Sequence, residues 1–210
     1  MIVRSLAVLI FAAGAAALLG GLALLGRAPG LPEQTRHLRQ MKDRLDPPVR
    51  VLDYTMADFA ALPHHIPLAT RSALEARGVR ASGWVQRMVL SGDGDLHLEL
   101  VENQRHLLER DTAYVVAEIT PPWREQSQGW SYESLLVAFR PNRGGRAPWE
   151  AGPRRVRLTG WLTLDHPYDK PVSTWLQQRG APRRTGWEMH PVTRIELWDD
   201  ATRTWQELRR

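Results

Sequence analysis

The 210-residue sequence contains no cysteine. This absence excludes a disulfide framework, zinc–thiolate sites, iron–sulfur clusters, cysteine catalysis and a lipoprotein anchor. Lysine is nearly absent too: of the 28 basic residues, 26 are arginine and two are lysine. The basic isoelectric point therefore reflects arginine, which does not titrate in the relevant range. The formal net charge is only +5 (28 − 23), a surplus too small to indicate a nucleic-acid partner by itself.

Common catalytic signatures are missing as well. The glycine pairs Gly92-x-Gly94 and Gly144–Gly145 lack the strand-to-helix context of a phosphate loop or a dinucleotide fingerprint, and no serine nucleophile elbow occurs. A hydrophobic content of 43% with nine tryptophans excludes global disorder. The sequence favours a folded, non-enzymatic protein over an enzyme, although it does not decide the point.

The longest apolar run is residues 5–26, which hold no charged side chain. As a helix this run would be about 33 Å long, enough to cross a hydrocarbon core of about 30 Å. The apolar part of a cleavable signal peptide is shorter, about 7–15 residues. We therefore predict an uncleaved single-pass anchor over residues 1–27, with a cleaved signal as the alternative.

Two rows of small residues recur every four positions along this anchor. Such ridges let transmembrane helices approach closely and hint at a membrane-protein partner, although alanine-rich anchors also contain them by chance. The two rows are Ala12, Ala16 and Gly20, and Ala13, Ala17 and Gly21.

The orientation of the anchor is contested within the sequence. One basic residue, Arg4, precedes the run, and five follow it within about 20 residues, so the positive-inside rule places the C-terminal domain in the cytoplasm. A short charged N-terminus before a long apolar run is, however, the usual export signature. We expect an inner-membrane protein and favour a periplasmic domain over a cytoplasmic one.

After the anchor, residues 28–78 are predicted to form a helical, membrane-proximal linker. Its elements are a helix over residues 31–46, a short helix with the capping box Thr55-x-x-Asp58, and a helix over residues 68–77.

Residues 79–210 are predicted to form a mainly β (α+β) domain. Three strands, a helix and two more strands, with a short sixth strand at the end, is the element order of an OB-like barrel. Gly83 and Pro191 are plausible bends for closing it. The strands are 79–90, 95–101, 114–120, 155–165, 186–198 and 203–208, and the helix is 131–139.

Four runs carry a resemblance to known sequences: GDGDLHLELVE, VVAEITPPWR, VRLTGWLTLDHPYD and, most specifically, GWEMHPVTRIELW. They resemble a group of uncharacterised bacterial proteins, mostly exported or membrane-tethered. That group has an Asp-x-His strand and a closing Trp-Glu-(Ile/Val)-His-Pro-Val-Thr segment. The resemblance covers residues 79–198 and implies one barrel-like domain without an assigned activity. The group's usual Arg-Asp-x-His appears here with Gly94 in place of the arginine.

The second strand carries the first chemical candidates. Period-two geometry puts Asp93, Asp95, His97 and Glu99 on one face, opposite three leucines. Carboxylates and an imidazole in a row could bind a divalent cation or act as acid and base. The alternative is the outer polar face of a half-buried strand.

His190 is the other candidate. If the strands pair as in a barrel, His97, His166 and His190 could converge near Asp165 and suit zinc or iron. No spacing demands this, and a hydrogen bond from His190 to a carbonyl beside the Pro191 bend is the simpler reading. No metal and no cofactor are therefore assigned.

Arginines and tryptophans cluster in the later loops. This mixture suits single-stranded nucleic acid, an anionic membrane surface or an acidic partner subunit, and a tether favours the last two. Trp123 and Trp130 are also expected in loops, where exposed aromatics mark contacts. The candidate binding surface is Arg140, Arg143, Arg146, Trp149, Arg154, Trp175, Arg183 and Arg184.

The sequence thus predicts a non-enzymatic, single-pass membrane-anchored module that binds another protein, as an accessory subunit of a membrane complex. The first alternative is a metal-dependent phosphodiester hydrolase that acts through Asp93, Asp95 and His97. The second is a nucleic-acid-binding module, which requires a cytoplasmic domain and is less favoured.

Overall fold

The structure is a computed structural model that describes residues 32–106, 113–126, 128–140, 154–169 and 183–209. The predicted anchor over residues 1–27, with its two rows of small residues, lies outside these ranges. Among the described residues, no helix is both long and apolar enough to cross a membrane. The chain divides into two units after Arg36. Apart from residues 33–36 of the first helix, the features below belong to the unit that starts at His37.

Five α-helices occur in the described ranges. Helix α2 has the predicted capping box, in which the Thr55 hydroxyl accepts from the Asp58 amide and the Asp58 carboxylate accepts from the Thr55 amide. The helices are α1 Glu33–Lys42, α2 Met56–Ala60, α3 Leu68–Glu75, α4 Pro121–Glu125 and α5 Tyr132–Phe139.

Seven strands form one mixed sheet in the described part of the chain, so the prediction of a mainly β domain is confirmed. The strands are β1 Val51–Asp53, β2 Gly78–Leu90, β3 Leu96–Val101, β4 Tyr114–Ile119, β5 Arg155–Leu164, β6 Arg183–Asp199 and β7 Thr204–Glu207.

The strand pairings run in a ring. Strand β2 pairs antiparallel with β3, β3 with β4, and β5 with β6, whereas β4 and β6 are parallel. Strand β2 also pairs antiparallel with β5, which closes the ring β2–β3–β4–β6–β5. Strand β1 adds to β2, and β7 adds to β6.

The apolar core lies on one face of these strands. Leu96, Leu98 and Leu100 of β3 are at most 1% exposed and belong to the core cluster. Because side chains alternate along a strand, His97 and Glu99 project from the opposite face. The predicted division of β3 into two faces is therefore correct, but the polar face is not a solvated one, since Glu99 is only 6% exposed.

Several elements differ from the sequence-based assignment. The segment after β4 continues into α4, because Pro121 and Pro122 suit the first turn of a helix. Trp123 and Trp130, expected in exposed loops, are each 1% exposed and pack in the core. Strand β6 begins at Arg183, three residues before the predicted start.

The predicted bend at Pro191 coincides with an irregular part of the β5–β6 pairing. The register shifts on both sides of Gly160, which lies opposite this segment, and the His190–Pro191 peptide is cis. A Cβ atom on Gly160 would lie 2.3 Å from the Pro191 carbonyl oxygen. A glycine is therefore required where the two backbones approach.

Candidate metal centre

Three strands of the ring bring together a buried group of acidic and histidine side chains. Asp95 directly precedes β3, Glu118 lies in β4 and His190 in β6. In the sheet His97 pairs with Glu118, and Ala117 pairs with Met189. The alternation of side chains therefore puts the polar residues on the face opposite the apolar core.

His190 is the centre of this group and is fully buried. Its Nδ1 atom lies 2.9 Å from a carboxylate oxygen of Glu118 and 2.9 Å from one of Glu188. Its Nε2 atom lies 3.3 Å from Asp95 Oδ2, but makes no hydrogen bond of acceptable direction. We call Asp95, Glu118, Glu188 and His190 the carboxylate–histidine cluster.

The carboxylates determine the charge of His190. Burial, the largest effect, lowers the pKa of the imidazole, but the nearby Asp95 carboxylate and the Nδ1 contacts with Glu118 and Glu188 outweigh it and raise the pKa well above its usual value. Without a bound cation, His190 is therefore an imidazolium ion that balances part of the surrounding negative charge.

Glu118 links this cluster to the solvent side. Its Oε1 atom lies 2.9 Å from Nδ1 of His97, and its Oε2 atom lies 3.7 Å from Nζ of Lys42. Burial raises the pKa of Glu118, but the hydrogen bonds to His190 and His97 and the charge of Lys42 lower it well below its usual value. The His97 side chain is 20% exposed and that of Lys42 is 19% exposed, so the cluster approaches the surface at these two residues.

Arg183 supports the cluster from the other side. Its Nη2 atom donates to Glu188 at 2.8 Å, and its Nη1 atom lies 3.8 Å from Asp165. Burial and the charge of Glu188 raise the pKa of Asp165 to about 6, although Arg183 and Lys42 act to lower it. The Asp165 carboxyl group is therefore mostly ionised at pH 7 and half protonated near pH 6.

The group as a whole has an excess of negative charge. Four carboxylates face two permanent cations, which leaves a formal charge of −2 (2 − 4) when both imidazoles are neutral. Buried charge of one sign is costly unless it is compensated. Two protons on the histidines or one divalent cation would compensate it. The six charged residues are Asp95, Glu118, Asp165, Glu188, Lys42 and Arg183.

The cluster has the donor set of a metal centre. One ligand atom each from Asp95, Glu118 and His190 lie within 4.8 Å of one another. Metal ions of the zinc type bind such atoms at about 2.0–2.2 Å, so the Asp95 and Glu118 carboxylates would have to turn toward Nε2 of His190 to share one ion with it. The hydrogen bond between His190 Nδ1 and Glu188 leaves Nε2 for the metal, as in the carboxylate–histidine–metal arrangement.

Of the sequence-predicted catalytic candidates, Asp95 and His190 belong to the cluster and His97 contacts it through Glu118. Asp93 does not take part, because it lies in the turn before β3, where its carboxylate accepts from the Asp95 amide at 3.3 Å. Glu99 is held separately by Gln86 and Arg87. His166 is not among the charged groups around His190.

Glu118, Glu188 and Lys42 are not among the site residues predicted from the sequence. Glu118 had a detectable signal, because it is the lone carboxylate of the apolar strand β4, where an unpaired charge is unfavourable. Glu188 lies two residues before His190 and therefore on the same strand face. Lys42 had no sequence signal that points to this site, because its distance from Glu118 depends on how the segment before β1 packs over the sheet.

The structure describes four of the eight residues of the predicted arginine–tryptophan surface. Arg140 and Arg154 line a groove of about 440 Å³, whereas Arg183 is 5% exposed and belongs to the buried network. Arg183 departs from the prediction because it lies in β6 rather than in a loop, and Arg184 beside it is half-buried. Arg143, Arg146, Trp149 and Trp175 lie outside the described residues.

No protein-family model matches the chain, and no curated protein matches it significantly. Among solved structures, the chain is similar to OBody AM3L09 bound to hen egg-white lysozyme, with 14% identity, a TM-score of 0.31, and coverage of 66% of this chain and 98% of that one. It is also similar to OBody AM2EP06 bound to hen egg-white lysozyme, with 15% identity, a TM-score of 0.30, and coverage of 64% and 92%. At these TM-scores the likeness supports no conclusion about this chain.

Proposed function

We propose that this protein binds a divalent first-row transition-metal ion through Asp95, Glu118 and His190. The observation that carries the proposal is the convergence of these three ligand atoms within 4.8 Å at a fully buried histidine. The Nε2 atom of that histidine has no well-directed hydrogen bond, and an unsatisfied buried polar atom of this kind calls for a ligand.

Charge supports the same proposal. A divalent cation would compensate the formal charge of −2 around His190 and would displace the proton from Nε2. One imidazole with two carboxylates suits Mn²⁺, Fe²⁺ or Zn²⁺.

The ion could lower the pKa of a bound water and so support hydrolysis, with His97 on the solvent side of Glu118 in place to move a proton. Hydrolysis of a phosphodiester, the alternative that the sequence raises, remains compatible with this donor set.

The test is a calorimetric titration of the full chain in detergent, stripped with a chelator, with Mn²⁺ and with Zn²⁺. We expect one ion per chain, and we expect Asp95→Asn and Glu118→Gln to weaken binding at least about tenfold. The matched control is Glu99→Gln, which neutralises a buried carboxylate on the same strand face that, among the described residues, is hydrogen-bonded to Gln86 and Arg87. The proposal fails if the wild-type chain binds neither ion, or if the control weakens binding as much as the ligand variants.

We further infer that the five-stranded ring is an OB-like barrel. Its strand order β2–β3–β4–β6–β5, with a parallel β4–β6 pair and helix α5 between β4 and β5, supports the five-stranded Greek-key arrangement of that fold. We also infer that the single-pass anchor predicted over residues 1–27 tethers the domain.

A second candidate function is docking of a membrane-protein partner, which the arginine–tryptophan groove favours. Three guanidinium groups and two indoles line this groove, a composition typical of interaction sites. If it is correct, a stoichiometric partner co-purifies in mild detergent, and Arg140→Glu with Arg154→Glu releases it. Arg50→Glu, an exposed change outside the groove, should not. The residues are Trp84, Arg140, Arg154, Arg155 and Trp198.

A further inference from the structure

Lys42 stands out because the chain has only two lysines against 26 arginines. It ends helix α1, and its Nζ atom lies 3.7 Å from Glu118, one of the three metal ligands proposed above. An ammonium group is a compact point charge, whereas a guanidinium group is planar and delocalised. Lysine is therefore the basic side chain that most resembles a small cation.

The surroundings of Lys42 are those of a cation in an acidic site. Burial acts to lower the pKa of Lys42, but four carboxylates outweigh it and raise the pKa above its usual value. An ordinary lysine is already charged at neutral pH, so the ammonium group supplies one of the two permanent positive charges of the network. The four residues are Glu188, Glu118, Asp165 and Asp95.

The segment that carries Lys42, residues 37–46, is held mainly by polar contacts, and we call it the strap. Trp123 Nε1 donates to the Arg44 carbonyl at 2.9 Å, and Trp161 Nε1 donates to the Asp46 carbonyl at 2.8 Å. His37 Nε2 lies 2.5 Å from Glu75 Oε2.

No residue of helix α1 is buried, and Leu45 is 59% exposed. Because its apolar residues Leu38 and Met41 are only half-buried, the strap can open at a lower free energy than the domain unfolds.

We propose that Lys42 is a built-in counter-ion that competes with the divalent metal for the carboxylates of Asp95 and Glu118, so that metal binding displaces the strap. This inference rests on the proposed metal site. The competition follows from charge alone, because two cations near the same carboxylates repel each other across a partly buried site. The wild-type chain therefore binds the metal more weakly than the same ligands would bind it without the charge of Lys42.

The experiment compares Mn²⁺ titrations of the chelator-stripped full chain and three variants in detergent at one pH. Lys42→Gln removes the charge and keeps a polar side chain of similar reach, and Lys42→Arg keeps the charge. Arg39→Gln removes an exposed charge from the same helix turn. We expect Lys42→Gln to bind Mn²⁺ about tenfold tighter than the wild type, and the other two to stay within about threefold.

A second measurement uses the wild-type chain only, so that it does not depend on how a variant folds. Amide hydrogen exchange of residues 37–46 should become faster when Mn²⁺ is added, because the displaced strap loses its contacts. Equal or weaker binding by Lys42→Gln, or slower exchange of the strap with metal, overturns the role of Lys42 while the metal site stands. If neither the wild type nor Lys42→Gln binds Mn²⁺, the metal site itself is wrong. Binding by Lys42→Gln alone supports the competition.

Discussion

Asp165 is a residue whose protonation links the charge of the buried network to the stability of the fold. It is 7% exposed, and burial and the nearby Glu188 raise its pKa to about 6, above the value of about 4 that is usual for an aspartate. The folded state therefore holds a proton at pH values where the unfolded chain has lost it. Stability contributed by this group is complete below the unfolded pKa and is lost as the pH rises through the folded pKa.

The first prediction concerns Asp165→Asn, which removes this titration. At pH 8 we expect the variant to be more stable than the wild type by about 1–3 kcal/mol, since one pKa unit corresponds to about 1.4 kcal/mol. At pH 3.5 the two should be nearly equal. Urea unfolding of the full chain in detergent at both pH values measures the difference. A variant that is less stable at pH 8 would mean that the ion pair with Arg183 dominates.

At the scale of elements, the close approach of β5 and β6 depends on one small residue. A Cβ atom at Gly160 would lie 2.3 Å from the Pro191 carbonyl oxygen and 2.7 Å from Met189 Cγ. The backbone contact cannot be relieved by a change of rotamer, so the two strands would have to separate. The same close approach positions His190, which directly precedes Pro191.

We therefore predict that Gly160→Ala destabilises the domain by about 1–3 kcal/mol and also weakens metal binding. The matched control is Gly92→Ala, because a Cβ atom there meets nothing within 4 Å. It should change stability by less than about 0.5 kcal/mol. Thermal unfolding and the Mn²⁺ titration together test this, and a Gly160→Ala variant as stable as the control would contradict the close approach.

The strap is a second element with a distinct expected behaviour. Trp161 fixes it through a hydrogen bond from Nε1 to the Asp46 carbonyl and through its ring, which lies 4.6 Å from the Arg44 guanidinium. Trp161→Phe removes the hydrogen bond and keeps an aromatic ring. We expect it to speed amide exchange in residues 43–46 about tenfold or less, since one hydrogen bond contributes about 0.5–1.5 kcal/mol, while exchange in β3 stays unchanged. Equal acceleration in both places would show global destabilisation instead.

At the scale of the whole molecule, a metal bound only to the folded state stabilises the entire domain. At a concentration about 100 times the dissociation constant, the gain is about 2.7 kcal/mol. We expect the melting temperature of the wild-type chain to rise by about 5–10 °C with saturating Mn²⁺ or Zn²⁺. Glu118→Gln should lose this rise, and Glu99→Gln should keep it. A rise of equal size in Glu118→Gln would place the ion elsewhere.

Much of the fold could be predicted from local patterns. Alternation in residues 95–101, the Gly92–Gly94 turn and the capping box at Thr55 are short-range features, and the structure has all three. The same patterns missed β1, a three-residue strand whose partner β2 begins 25 residues later along the chain. They also placed Trp123 and Trp130 at the surface, because the burial of a residue between strands depends on what packs over it.

For the candidate site, the sequence alone identified Asp95, His97 and His190 as candidate metal ligands or acid–base groups, because carboxylates and imidazoles are unusual within apolar strands. It also determined the mainly β class and the long apolar run at the N-terminus. Only the tertiary structure decided that these groups meet at Glu118, that Glu188 orients His190 and that Lys42 faces the carboxylates. Residue spacing determines which side chains share a strand face. Distances between side chains on different strands depend instead on strand pairing and register, and on segments such as the strap that pack over the sheet. These contacts join residues far apart in sequence, so local patterns do not predict them.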